Sequence, residues 1–217
     1  MLAAPVPSLQ ALYLQRSALG EAGGVALAEA LGKGAAPQLQ KLVLSDNALG
    51  EAGGVALGKA LGNGAMPQLQ MLELAENALG EAGGVAVAEA LGKGATPQLQ
   101  KLYLQQNALG EAGGVALAEA LGKGAAPQLQ TLVLDDNPLG KRGAAALAAA
   151  IAKGALPKLE SLDVERTRLT AAGRRLLDEA ASASGGRLRV VHDLRAEPLD
   201  AEPQKVSGVR GGCCVVS

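Results

Sequence analysis

Several residue types are scarce in this 217-residue chain, and each shortage excludes a class of function. The chain has no Phe, no Trp, two Tyr and one His, which is His192. A single histidine rules out zinc sites built from several histidines, and the lack of Phe and Trp argues against a base-stacking nucleic-acid surface. The formal charge of −1 also argues against a general phosphate binder. We therefore expect no metal, no cofactor and no nucleic-acid partner.

Cysteine and long apolar runs are equally scarce. The two cysteines are the neighbours Cys213 and Cys214, so they do not build a disulfide framework, and nothing points to secretion. No run of 18 apolar residues is present. Residues 1–10 lack the charged segment and apolar run of a signal peptide. These absences predict a cytoplasmic protein with no membrane-spanning helix.

What the chain does have is a repeat of thirty residues. The nonapeptide ALGEAGGVA occurs four times, and each copy starts 30 residues after the last. Framed on the leucine that opens each unit, six units follow one another, and the last two are divergent. The units are 9–38, 39–68, 69–98, 99–128, 129–158 and 159–188, followed by a half-unit, LRVVHD, at 188–193.

Each unit combines two different periods. Its first half reads L-x-x-L-x-L-x-x-N-x-L, in which the step from Leu42 to Leu44 alternates as a short strand does. In its second half, small and apolar residues such as Ala56 and Ala60 recur at helical spacing until Gly64. One strand and one helix per unit predict a right-handed coil in which the strands lie parallel, side by side.

These units resemble the leucine-rich repeat family over residues 9–188, and in particular its ribonuclease-inhibitor-like branch with the pattern LxxLxLxxNxLGxxGxxALAxAL. The resemblance implies an α/β solenoid shaped as a horseshoe or arc, with a parallel sheet on the concave face and helices on the convex face. It also implies a hydrogen-bonded ladder of Asn47, Asn77, Asn107 and Asn137. The first glycine of each Gly-Gly pair is expected to allow close helix packing, whereas the second, such as Gly24, has no reason visible in the sequence.

The repeat domain is predicted to cover 9–195. Residues 1–8 resemble the end of a preceding repeat or stand where a cap is missing, so the strand near 11–14 is expected to be an exposed sheet edge. We expect a monomer unless this edge self-associates. Residues 196–217 are rich in Pro, Gly and charge, which predicts a disordered tail.

The positions between and just after the strand leucines vary most among the units, and they are predicted to face the concave surface. Acidic residues outnumber basic ones there, which favours a protein partner with a basic patch. Tyr13 and Tyr103 share one position and are the predicted anchors, although strands favour tyrosine in any case. The predicted partner-binding residues are Tyr13, Arg16, Lys41, Asp46, Glu73, Glu76, Lys101, Tyr103, Asp135, Asp136, Asp163 and Glu165.

The favoured function is a non-catalytic scaffold that binds a protein. The alternative is regulation of a small GTPase or an innate-immune sensor fragment, since the Ran GTPase activator and the NOD-like receptors carry similar repeats. An enzyme is not expected. The adjacent carboxylates Asp135 and Asp136 are interpreted as solvated loop residues, and His192 has no evident nucleophile beside it.

The last four residues, Cys214 to Ser217, fit a cysteine followed by two aliphatic residues and a terminal serine. This resembles the prenylation signal of small GTPases, and serine at the last position favours a farnesyl group on Cys214. One lipid gives only marginal membrane binding, so palmitoylation of Cys213 is the expected second signal. The alternative is a chance match. Lipidation predicts attachment to the cytosolic face of a membrane by the anchor alone.

This anchor can be tested in a eukaryotic cell supplied with labelled isoprenoid. We expect the intact chain to take up label and to sediment with membranes, because its C-terminus carries the signal. Cys214→Ser should remain unlabelled and stay in the supernatant. An intact chain that stays unlabelled contradicts the prediction.

Overall fold

The computed structural model describes residues 6–192, in which strands and helices alternate along the whole length. The strands are β1 (Ala11–Tyr13), β2 (Lys41–Val43), β3 (Met71–Glu73), β4 (Lys101–Tyr103), β5 (Thr131–Val133), β6 (Ser161–Asp163) and β7 (Arg189–Val191). The helices are α1 (Gly20–Gly32), α2 (Gly50–Gly62), α3 (Gly80–Gly92), α4 (Gly110–Gly122), α5 (Gly140–Ala152) and α6 (Ala171–Ala183). The seven strands form one parallel sheet in sequence order, which confirms the α/β solenoid, and the last of them, β7, lies in the half-unit after the sixth repeat.

The core is a column of leucines that runs through the stack. The central residue of each strand points inward, and Leu42, Leu72 and Leu102 are fully buried. Because residues thirty positions apart are register partners on adjacent strands, each leucine lies beside its equivalent in the next unit. A helix is wider than a strand, so the stack curves with the sheet on its concave side.

The predicted asparagine ladder is present, and it links each unit to the one before it. The Asn107 Nδ2 donates to the carbonyl oxygens of Leu74 at 2.8 Å and Leu104 at 3.0 Å. Its Oδ1 accepts from the Asn77 backbone N–H at 3.1 Å. One fully buried side chain thus supplies the bonds that two buried loops lack.

Helices α2 to α5 begin in an unusual way, because the residue before each is a leucine that offers no side-chain cap. The glutamate of the preceding helix lies beside this end instead, and at α4 it accepts a backbone hydrogen bond: Glu81 Oε1 accepts from the Ala112 N–H at 2.7 Å, while the equivalent bond at α5 is 3.5 Å long. A negative charge at a helix N-terminus is also stabilising, because that end of the helix dipole is positive. Gly50 leaves room for this contact, since a Cβ there would lie 2.6 Å from Glu21 Oε2, and its φ of +64° favours glycine as well.

The last helix is started differently. Lys141 in α5 stands where the earlier helices carry glutamate, so α5 has no carboxylate at that position for α6. Thr170 stands where the earlier units have glycine, and its hydroxyl accepts from the Gly173 N–H at 3.1 Å. The two substitutions compensate each other, since the final helix carries its own cap.

The structure corrects the interpretation of the second glycine in each pair. A Cβ on Gly54 would lie 2.9 Å from the Gly83 Cα, and one on Gly24 would lie 2.8 Å from Leu49 Cδ2. These glycines let the backbones of neighbouring helices touch. The reason was invisible in a single unit because the contact is made with the next one.

The structure does not test every part of the predicted domain organisation. Cys213, Cys214 and the whole predicted tail lie outside the described residues, as do residues 1–5. The lipid anchor and the two terminal segments therefore stay predictions.

Removing one member of the ladder should destabilise the whole stack. For Asn107→Ala we expect the free energy of unfolding to fall by about 2–4 kcal/mol, because several buried backbone groups lose their partner. Chemical denaturation monitored by circular dichroism measures the loss. Asn63→Ala, at the exposed end of α2, is the matched control and should change stability by less than about 0.5 kcal/mol. Equal effects of the two variants would refute a structural ladder.

Candidate functional site: the concave sheet face

Two rows of side chains project from the concave side of the sheet, on either side of the buried central residues. In each row the residues are neighbours in register across adjacent strands. The first row is Ala11, Lys41, Met71, Lys101, Thr131, Ser161 and Arg189. The second row is Tyr13, Val43, Glu73, Tyr103, Val133, Asp163 and Val191.

The twelve predicted partner-binding residues fall into two groups of six. One group lies in the two rows: Tyr13, Lys41, Glu73, Lys101, Tyr103 and Asp163. The other group follows the strands: Arg16, Asp46, Glu76, Asp135, Asp136 and Glu165. Sequence reasoning missed Arg189 and Val191, which extend both rows onto β7. They could have been found by continuing the repeat beyond the sixth unit, where the spacing between register partners is 28 residues and not thirty.

Basic and acidic residues are separated between the rows, although the concave face as a whole has more acidic residues than basic ones. The first row has basic residues at Lys41, Lys101 and Arg189 and no acidic one. The second row and the position two residues beyond it carry only acidic charges, at Glu73, Asp135, Asp163 and Glu165. Because side chains two residues apart along a strand lie about 7 Å apart, a basic stripe runs beside an acidic stripe across the sheet.

Part of the predicted charge is already paired within the protein. Arg16 Nε lies 3.2 Å from Asp46 Oδ2, and Arg166 Nη2 lies 2.7 Å from Asp136 Oδ2. These residues occupy the turn after the strand, where Asp46 and Asp136 both have φ of 55°. Exposed pairs of this kind contribute little to stability, yet they reduce the free charge offered to a partner.

The most perturbed carboxylate of the face is Asp135. Its side chain is only 19% exposed and lies 3.8 Å from Arg166 Nη2. Burial, and then the nearby charges of Asp163 and Asp136, raise the pKa of Asp135 above its ordinary value, while Arg166 lowers it. Asp135 and Asp136 both lie in the turn after β5, as expected of loop residues, but neither is fully solvated: their side chains are 19% and 31% exposed, and Asp136 is paired with Arg166.

The two predicted tyrosine anchors have different surroundings. Tyr103 is half-buried in the middle of the sheet, and burial together with Glu73 raises the pKa of its hydroxyl. Tyr13 lies on the first strand and is 54% exposed. Three strand spacings separate them by about 14 Å, so one compact partner can reach both.

His192 has an acidic partner in α6. Its Nε2 lies 3.0 Å from Asp178 Oδ1, which joins the chain after β7 to α6. Among residues 6–192, no group of three His, Cys, Asp or Glu side chains is placed to hold a metal ion. Within the same residues, no helix combines the length and the hydropathy needed to cross a membrane.

Comparison with known families agrees with this geometry. The family described as Leucine Rich repeat matches residues 36–58 and 126–148, which begin three residues before the second and fifth units and end within them. No curated protein matches the chain. The two matches and the solenoid fold support a leucine-rich repeat protein, and such proteins generally act as non-catalytic scaffolds that bind other proteins.

The raised pKa of Asp135 makes a prediction about stability and pH. Folding disfavours its charged form, so the wild type loses stability as the pH rises from the ordinary aspartate pKa near 4 through the raised value. Asp135→Asn should therefore raise Tm by about 1–3 °C at pH 7, and the gain should vanish below about pH 4.

Thermal unfolding at several pH values measures this difference. Asp136→Asn is the control, because it removes the closest partner of Arg166 and should give no gain at pH 7. A pH-independent effect of Asp135→Asn would show that its charge is not the cause.

Proposed function

We propose that this chain is a non-catalytic interaction scaffold of the ribonuclease-inhibitor-like branch, whose concave face binds a protein segment carrying basic side chains. The observation that supports this most strongly is the surrounding of Asp135. A carboxylate that is 19% exposed and lies near Asp163 is disfavoured in the free protein. A cation from a partner would add to Arg166 in offsetting that repulsion, at a site already partly shielded from water.

The surface around these carboxylates suits an interface. Val133 lies between Tyr103 and Asp163 in the second row, so apolar and aromatic area borders the acidic residues. Tyrosine supplies a large contact surface and a polar tip, which is why it is common at binding hot spots. Contacts with Val133 and Tyr103 would hold the partner, and the charged residues would orient it.

The division of charge sharpens the expected partner. The basic stripe of Lys41, Lys101 and Arg189 runs along the amino-terminal ends of the strands, about 7 Å from the acidic one. A purely basic segment would meet repulsion there. The proposed ligand therefore carries basic side chains over the carboxyl-terminal ends of β5 and β6, and acidic side chains over the amino-terminal ends.

The lipidated C-terminus belongs to the same proposal. Farnesylation of Cys214 and palmitoylation of Cys213 would hold the scaffold at the cytosolic face of a membrane and concentrate it near partners there. Regulation of a small GTPase remains the alternative, and it predicts that the bound partner is such a GTPase with an altered hydrolysis rate.

Selection from a random peptide library tests the concave face without a known partner. Peptides enriched on the wild-type protein should contain basic residues (Lys or Arg) together with acidic residues (Asp or Glu). Raised salt should weaken their binding, because it screens the charges. Asp163→Lys should reduce their affinity by about tenfold or more, since it reverses a charge within the acidic stripe.

Glu119→Lys is the matched control, because Glu119 is an exposed carboxylate of α4 on the convex side. It makes the same charge change and should leave the affinity unchanged. Enriched peptides that tolerate Asp163→Lys but not Glu119→Lys would move the binding site to the helices.

A further inference from the structure

The first strand is an edge strand whose outer backbone groups have no strand beside them in the described part of the chain. The sheet begins with β1, which pairs with β2 alone. The Leu14 N–H donates to the Val43 carbonyl at 2.9 Å, and the Gln10 carbonyl accepts from the Lys41 N–H at 3.0 Å. The backbone groups of alternate residues in a strand point toward opposite sides of that strand. Because those of Gln10 and Leu14 point toward β2, the backbone N–H and C=O of Ala11 and Tyr13 point away from the sheet.

The core behind this edge is open as well. Five leucines of the first unit are only partly buried, although their equivalents in the second unit are at most 2% exposed. The open ones are Leu9, Leu12, Leu14, Leu19 and Leu27. Val6 and Tyr13 on the same end are 49% and 54% exposed. This end of the solenoid thus presents pairing groups and apolar surface together.

Helix α1 continues the same open face. In α2, Gly53 and Ala60 contact Gly24 and Gly32 of α1. The residues of α1 equivalent to Gly53 and Ala60 are Gly23 and Ala30, and both are less buried than those counterparts. A second helix can approach α1 closely there, because the small side chains leave its backbone accessible.

Charge does not protect this edge. Proteins usually guard edge strands with charged side chains. The opposite edge follows that rule, since β7 carries Arg189. Strand β1 reads Ala-Leu-Tyr and has no charge, although Lys41 and Lys101 occupy the position of Ala11 in other strands.

We propose that two copies of this chain pair through β1 in an antiparallel, two-fold symmetric dimer. Ala11 then lies opposite the partner subunit's Tyr13, and Tyr13 opposite the partner subunit's Ala11. Each pair exchanges both backbone hydrogen bonds, because these are the residues whose groups face outward. A large side chain meets a small one at both positions, so the concave surface continues across the junction without a clash.

The same register also brings together the core-side residues and the first helices of the two copies. Leu12 meets its own symmetry mate at the core side, where the open leucines of both copies become covered. A two-fold axis normal to the sheet also brings the two α1 helices together on the convex side. The surface is self-complementary, as a two-fold interface must be.

Analytical ultracentrifugation of the full chain tests the dimer over concentrations from about 1 to 100 µM. We expect the weight-average mass to approach twice 21.6 kDa. Ala11→Lys should weaken association by about tenfold or more, because it places a charge at each of the two pairing positions. Lysine already occupies this register at Lys41 and Lys101, so the fold accommodates it.

Thr131→Lys is the matched control: it makes the same change in the same row on the internal strand β5, and it should leave the dimer intact. Tyr13→Glu, which copies the register position of Glu73, replaces Ala11→Lys if circular dichroism shows that variant to be unfolded. A wild type that stays monomeric, or that grows beyond a dimer, overturns the proposal. So does a dimer that both edge variants leave unchanged.

Discussion

The structure depends on contacts between consecutive units rather than on contacts within them. A three-residue strand and a thirteen-residue helix cannot enclose the leucines that they share. Each unit buries its leucines only against the next, through a register that repeats without a shift along the sheet. Stability therefore accumulates along the stack, and the two ends are where it must be provided differently.

Three kinds of contact join consecutive units, one between the buried loops and two between the helices. Asn107 and its equivalents bond the buried loops of adjacent units, and glutamates such as Glu81 start the next helix. Glycines such as Gly54 allow the helices to touch. At the carboxyl-terminal end, Thr170 starts α6 with its own hydroxyl, and Thr167 takes the asparagine position and bonds the Val164 carbonyl of its own unit. At the other end, the open leucines of the first unit have no such substitute among the described residues.

Because the scaffold constrains the inward side chains so strictly, the outward ones are free to carry recognition. The concave rows differ from strand to strand, while the helices of the first four units scarcely differ. The division of charge along the strands and the shielding of Asp135 follow from where the sheet places these residues. Both features support the proposal that the concave face selects a partner of mixed charge.

The sequence by itself determined the repeat, the strand and helix of each unit and the parallel order, because these follow from local periodicity. The role of the four asparagines came from the resemblance of the recurring motif to the leucine-rich repeat family. The sequence also pointed to the concave residues, since the positions that vary are those that the core leaves free. Only the tertiary structure decided which charges pair, as Arg166 does with Asp136, and which are partly buried, as Asp135 is. It alone explained Gly54 and extended the face to Arg189. These features are contacts between residues about thirty positions apart or at the end of the array, and no pattern within one unit records them.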